Sequence, residues 1–105
     1  MSQGLDRLFA TIAARKDADP AASYTAKLLA AGVEKCAKKF GEEATEAVIA
    51  AIQKDKVELA KESADVLYHL AVLWAASGIT PEDVYAVLKS REATSGLEEK
   101  AGRKG

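Results

Sequence analysis

The chain has 105 residues, of which 15 are basic and 16 acidic, giving a formal net charge of −1. This length suits one domain and excludes a large multidomain enzyme, and the near-neutral charge excludes a generally basic nucleic-acid binder. The only cysteine, Cys36, excludes an intramolecular disulfide, a Cys-based zinc site and a CxxC redox pair. We expect a cytoplasmic protein without a signal peptide or membrane span, because the longest apolar stretch, residues 66–76, is too short to cross a bilayer.

Helices are predicted for almost the whole chain. Apolar residues at helical spacing, from Leu5 to Ile12, mark a first helix of about a dozen residues, which ends before a turn containing Asp17 and Pro20. Ser23 is placed to cap a short second helix that stops at Gly32. A third helix is predicted over residues 33–53 and a fourth over residues 57–77, so the chain bends at residues 54–56.

The end of the fourth helix and the start of the fifth carry the strongest local signals. Gly78 suits the position after a helix end, and Thr80 followed by Pro81 and acidic residues is typical of a helix start. The fifth helix is expected to turn Val84, Val87 and Leu88 inward. We therefore predict an all-α antiparallel bundle of about five helices over residues 1–94, completed by homodimerisation, with a flexible basic tail over residues 95–105.

Four carboxylates form two matched pairs on the third and fourth helices. Glu43 with Glu46, and Glu62 with Asp65, are each spaced i, i+3, which places both members of a pair on one helix face. On a helical wheel both pairs fall on the apolar packing side, so the simpler interpretation as solvated surface charges is disfavoured. An antiparallel turn between the helices would bring all four together, where Mg2+ is the natural occupant and a phosphate-bearing compound the natural substrate.

Basic side chains near the pairs are of the type that phosphate chemistry requires. We predict that Lys38, Lys39 and Arg91 contact the phosphates, and that Lys100 and Arg103 of the tail close over the product side. For any one of these residues, a solvated surface role remains open. His69 is either a ligand or acid/base group or a hydrogen-bonded residue at a helix interface.

Several sequence blocks, taken together, match one family. The pairs read ExxE at 43–46 and ExxD at 62–65, and the other blocks are SYT at 23–25, KKFGEE at 38–43, ADVLYHL at 64–70 and SGLEEKA at 95–101. With these blocks in order, the whole chain resembles the phosphoribosyl-ATP pyrophosphohydrolases of histidine biosynthesis, members of the all-α nucleoside-triphosphate pyrophosphohydrolase superfamily. It is similar to the stand-alone form, because a fused cyclohydrolase domain would need more length and more cysteines.

The resemblance implies hydrolysis of 1-(5-phosphoribosyl)-ATP to 1-(5-phosphoribosyl)-AMP and pyrophosphate, the second step of histidine biosynthesis. The four carboxylates would hold Mg2+, and one of them, or Glu42, would act as general base. A housecleaning pyrophosphohydrolase for damaged or surplus nucleotides would use the same carboxylates and remains an alternative. A non-enzymatic dimerisation module is the second alternative, although it has no use for inward-facing carboxylates.

The apolar part of the fourth helix predicts a homodimer. Its large apolar residues cannot all be buried within one small subunit; they are Leu67, Leu70, Val72, Leu73 and Trp74. We expect the interface to be built largely from the third and fourth helices, with the active site nearby.

Overall fold

The computed structural model describes residues 3–92, which form five α-helices and no strand. The helices are α1 (Gln3–Ala14), α2 (Tyr24–Ala31), α3 (Val33–Ile52), α4 (Lys56–Ser77) and α5 (Pro81–Glu92). The all-α prediction is confirmed. No helix within this range is both long enough and apolar enough to span a membrane. The predicted tail, residues 95–105, lies outside the described residues.

The helix ends agree with the signals in the sequence. The Ser23 hydroxyl accepts a hydrogen bond from the Ala26 amide at 3.1 Å and so caps α2. Gly32 separates α2 from α3 with φ +97°, a backbone conformation that side chains with a Cβ rarely adopt. At the start of α5, the Asp83 amide donates to the Thr80 hydroxyl and the Thr80 amide donates to the Asp83 carboxylate, which completes a capping box.

The most extensive packing in the molecule is between α3 and α4, which form an antiparallel hairpin. A turn of only three residues joins them. Within it, Lys54 has φ +60°, and the Asp55 carboxylate caps α4 by accepting a hydrogen bond from the Glu58 amide at 3.0 Å. This tight connection holds the middle of α3 against the middle of α4, where the carboxylate pairs lie.

The core lies where α1 and α2 cover the hairpin. Its fully buried side chains come from four helices: Ile12, Leu28, Cys36, Ala71 and Val72. The Cys36 thiol donates a hydrogen bond to the Leu28 carbonyl, and burial raises the pKa of that thiol. Because the thiolate is the reactive form, Cys36 is a packing residue here.

The prediction for the inner face of α5 is wrong at two positions. Val84 is half-buried as expected, but Val87 is 52% exposed and Leu88 is 41% exposed. Helix α5 packs on α1, and the Tyr85 hydroxyl of α5 donates a hydrogen bond to the Asp6 carboxylate of α1. Only one side of this edge helix is therefore covered, and Val87 and Leu88 lie outside that side.

Candidate active site

Three carboxylates converge across the α3–α4 hairpin. Glu43 of α3 and Glu62 and Asp65 of α4 each offer one oxygen atom, and these oxygens all lie within 4.8 Å of one another. Glu43 and Glu62 are half-buried, whereas Asp65 is exposed. Like charges at this separation repel each other, and a hard cation would relieve the repulsion. The trio therefore has the donor type and spacing of a divalent-cation site.

Glu62 occupies the most unusual environment in this group. Its Oε1 atom is shielded from solvent and has no hydrogen-bond partner among the described residues. Burial, the hydrogen bond that the protonated carboxyl group can share with Glu58, and the charges of Glu46, Glu58 and Asp65 together raise the pKa of Glu62 to about 7. An oxygen that is desolvated and unpartnered fits the role of a cation ligand, because the cation would supply the missing interaction.

Glu46 lies near Glu62 but is not one of the three carboxylates that converge. Its side chain is exposed, and it shares with Glu58 and Glu62 a small depression of about 170 Å³. The structure thus distinguishes Glu46 from the other three predicted residues. The sequence prediction did not include Glu58 among the residues near the site, although its position four residues before Glu62 places it on the same face of α4. That spacing is the signal that could have identified it.

The predicted phosphate-binding residues within the described range lie on two helices, α3 and α5. Lys39 is near the carboxylates, with its Nζ atom 3.3 Å from Glu42 Oε1. The hydrogen bond and charge of Glu42 raise the pKa of Lys39, and Tyr24 and Glu43 add smaller effects. Lys38 is exposed on the preceding position of α3, and Arg91 is exposed in the last turn of α5. Lys100 and Arg103 lie outside the described residues.

His69 is buried in the helix interface beside the acidic site. It is only 6% exposed, and its Nδ1 atom has no hydrogen-bond partner within the described range. Its ring meets those of Tyr68 and Tyr24 edge-on, with centroids 5.0 and 6.2 Å away. Burial lowers the pKa of His69, against the opposing charge of Glu43. The imidazole is therefore neutral at neutral pH and packs as an aromatic residue.

The raised pKa of Glu62 predicts a pH-dependent stability. Between pH 4.5, the ordinary pKa of this group, and about 7, the folded protein binds a proton that the unfolded chain does not. Through Glu62, acidification over this range therefore increases the stability of the metal-free fold. His69 has the opposite effect on stability, because acidification protonates its imidazole more readily in the unfolded chain than in the folded protein. Because Glu62→Gln removes only the first effect, we expect the variant to be more stable than the wild type at pH 8 and similar to it at pH 5.

Urea unfolding in the presence of a chelator measures this difference. The same isosteric change at Glu34, an exposed residue in the first turn of α3, provides the control. A difference between Glu62→Gln and wild type that stays constant from pH 8 to pH 5 would contradict the prediction.

The fold and the site together define a class: an all-α protein in which carboxylates from two antiparallel helices converge with the donor type and spacing of a divalent-cation site. The family model described as phosphoribosyl-ATP pyrophosphohydrolase matches residues 5–92, and the chain belongs to this family.

Curated relatives agree with this assignment over nearly their full lengths. A protein named phosphoribosyl-ATP pyrophosphatase from Cereibacter sphaeroides (strain ATCC 17029) is 63% identical over 94% of this chain and 96% of its own length. A protein of the same name from Paracoccus denitrificans is 60% identical over 96% of this chain and 94% of its own length. Another, from Parvibaculum lavamentivorans, is 63% identical over 94% of this chain and 91% of its own length. The resemblance stated from the sequence blocks is confirmed.

Proposed function

We propose that this chain is the hydrolase that cleaves the α,β-phosphoanhydride of 1-(5-phosphoribosyl)-ATP and releases pyrophosphate, in histidine biosynthesis. Membership of the family supports phosphoribosyl-ATP as the substrate. The observation that carries the chemistry is the convergence of Glu43, Glu62 and Asp65 on one point of the hairpin. A helical module without a catalytic role would gain nothing from three repelling carboxylates there.

These three carboxylates would hold Mg2+, and the shielded oxygen of Glu62 supports this assignment. When bound there, Mg2+ supplies positive charge to phosphate oxygens and lowers the pKa of water. We assign Glu46 as the base that accepts a proton from the attacking water, because it lies next to Glu62 and outside the trio. We assign the Lys39 ammonium, one turn of α3 before Glu43, to stabilise the negative charge that develops on the departing pyrophosphate.

A direct assay tests the reaction. The purified protein is expected to release pyrophosphate, and no orthophosphate, from phosphoribosyl-ATP in the presence of Mg2+, and to stop when the metal is chelated. ATP and dCTP assayed side by side test the alternative of a housecleaning enzyme, which would prefer one of them. Release of orthophosphate, or full activity in excess chelator, would refute the proposed chemistry.

We also infer that the protein is a homodimer joined through the α3–α4 hairpin. Val72 and Trp74 are buried within one chain, but Leu67 is 49% exposed. Further exposed apolar side chains lie on the same two helices: Val48, Ile49, Ile52 and Val57. An isolated subunit would leave this apolar surface in water. Light scattering at micromolar concentration should give the mass of a dimer, and an active monomer would contradict the inference.

A further inference from the structure

Tyr24 presents an exposed aromatic ring that neighbouring residues hold in place. The ring is 53% exposed, and it stacks on Tyr68 with centroids 6.5 Å apart and planes inclined by 19°. His69 meets the Tyr24 ring edge-on from below. The flanking residues fix the backbone, because Ser23 caps α2 and the Thr25 hydroxyl is hydrogen-bonded to the Tyr68 hydroxyl. Tyr24 is thus a supported aromatic platform with one side open.

This platform stands at the edge of the acidic site. The Tyr24 phenol is one of the groups that raise the pKa of Lys39, and Lys39 contacts Glu42. The His69 ring, 6.2 Å from that of Tyr24, lies within reach of the charges of Glu43 and Asp65. Because His69 lies one turn of α4 beyond Asp65 and packs against the Tyr24 ring, a ligand whose phosphates lie at the carboxylates can extend along α4 toward Tyr24.

On its other side, Tyr24 borders a shallow depression of about 480 Å³ at the start of α2. This volume is within the range of pockets that hold small ligands. Lys27 also lines the depression, one helical turn after Tyr24 and on the same face of α2. Its side chain is exposed, and across residues 3–92 no carboxylate lies within ion-pairing distance of it. The depression thus combines an aromatic surface with an uncompensated positive charge.

The order of these features matches the order of groups along the proposed substrate. The Tyr24 ring packs edge-on against His69, which follows Asp65 by one turn of α4. Lys27 follows Tyr24 by one turn of α2. In phosphoribosyl-ATP the phosphoanhydride, the adenine and the phosphoribosyl phosphate follow one another in the same order. Aromatic side chains stack on nucleobases, and ammonium groups bind phosphate oxygens. A larger groove, about 530 Å³, lies among Phe9, Leu29 and Ala76, but no carboxylate of the acidic site lines it.

We propose that Tyr24 and Lys27 form the subsite for the phosphoribosyl-adenine end of the substrate, with the adenine stacked on Tyr24 and the phosphoribosyl phosphate bound by Lys27. This inference rests on the proposed function for its ligand. It makes the SYT block a substrate-recognition element, which complements the carboxylates that act on the phosphoanhydride.

Calorimetric binding of three ligands in the presence of Mg2+ tests the two contacts separately. Phosphoribosyl-AMP carries both the adenine and the phosphoribosyl phosphate, AMP carries the adenine without the phosphoribosyl group, and pyrophosphate carries neither. We expect Tyr24→Leu to weaken both phosphoribosyl-AMP and AMP by about tenfold, the loss of one stacked base, and to leave pyrophosphate binding unchanged. Lys27→Gln should weaken phosphoribosyl-AMP by a similar factor and leave AMP and pyrophosphate unchanged.

Tyr24→Phe is the conservative variant: because it retains the ring, it should bind phosphoribosyl-AMP and AMP more tightly than Tyr24→Leu does. In steady-state assays, Tyr24→Leu should raise KM for phosphoribosyl-ATP about tenfold with little change in kcat. Unchanged binding of phosphoribosyl-AMP by Tyr24→Leu, or an equal loss of pyrophosphate binding, would overturn the proposal. Binding that follows the expected pattern in a wild-type protein that releases no pyrophosphate would support the subsite and refute the proposed reaction.

Discussion

Glu62→Gln should reduce kcat/KM for pyrophosphate release by more than about 100-fold. The substitution keeps the shape of the side chain and removes its charge. Within residues 3–92, Glu62 is the one carboxylate with a shielded oxygen that has no hydrogen-bond partner. With only Glu43 and Asp65 charged, the site should also bind Mg2+ more weakly, so the metal should raise the melting temperature less than it does in the wild type.

The same variant separates a catalytic role from a structural one. Because Glu62 is repelled by its neighbours, the metal-free variant should be as stable as the wild type or more stable. Assays and thermal melts of wild type, Glu62→Gln and the exposed control Glu34→Gln, each with and without Mg2+, measure both quantities. A strongly destabilised metal-free Glu62→Gln protein would show that the carboxylate serves the fold, and retained activity would remove it from the site.

Ile12→Ala should lower the free energy of unfolding by about 2–5 kcal/mol. Ile12 is 1% exposed and is one of the largest fully buried side chains, and it packs from α1 against the core beneath the hairpin. Truncation would remove apolar contacts and leave a cavity, because the helices around it can collapse only partly. In a protein of this size, such a loss is a large part of the total stability.

Denaturant titration measures this effect, and Ile12→Val provides a graded comparison with an expected cost of about 1 kcal/mol. Equal stability of the alanine and valine variants would show that α1 adjusts without leaving a cavity. The activity per folded molecule should change little, since Ile12 is not one of the carboxylates or basic residues of the site.

Features encoded locally were predictable from the sequence. Ser23, Gly32, Gly78 and Thr80 each act on backbone atoms a few residues away, so their sequence context was enough to place the ends of the helices. The prediction failed for Val87 and Leu88 because the wheel gives the direction of a side chain, whereas its burial depends on which neighbouring helix covers that direction.

The same limit applies to the site. The wheel placed all four predicted carboxylates on the packing side, but it could not show that Glu46 stands apart from the converging trio. Glu58 was missed because the ExxE and ExxD spacing does not include it, and its proximity to Glu46 depends on the register between the two helices. The platform at Tyr24 also depends on tertiary contacts, since Tyr68 lies 44 residues further along the chain (68 − 24 = 44).

The three-residue turn at Lys54 restricts how the length of this chain can vary. Glu43 lies 11 residues before Lys54 (54 − 43) and Asp65 lies 11 after it (65 − 54), while Glu46 and Glu62 are each 8 residues away. Adding one residue to either arm between the turn and its carboxylates would rotate that pair by about 100° and shift it by about 1.5 Å. Insertions should therefore be tolerated in the loop between α1 and α2 and be eliminated by selection within residues 43–65.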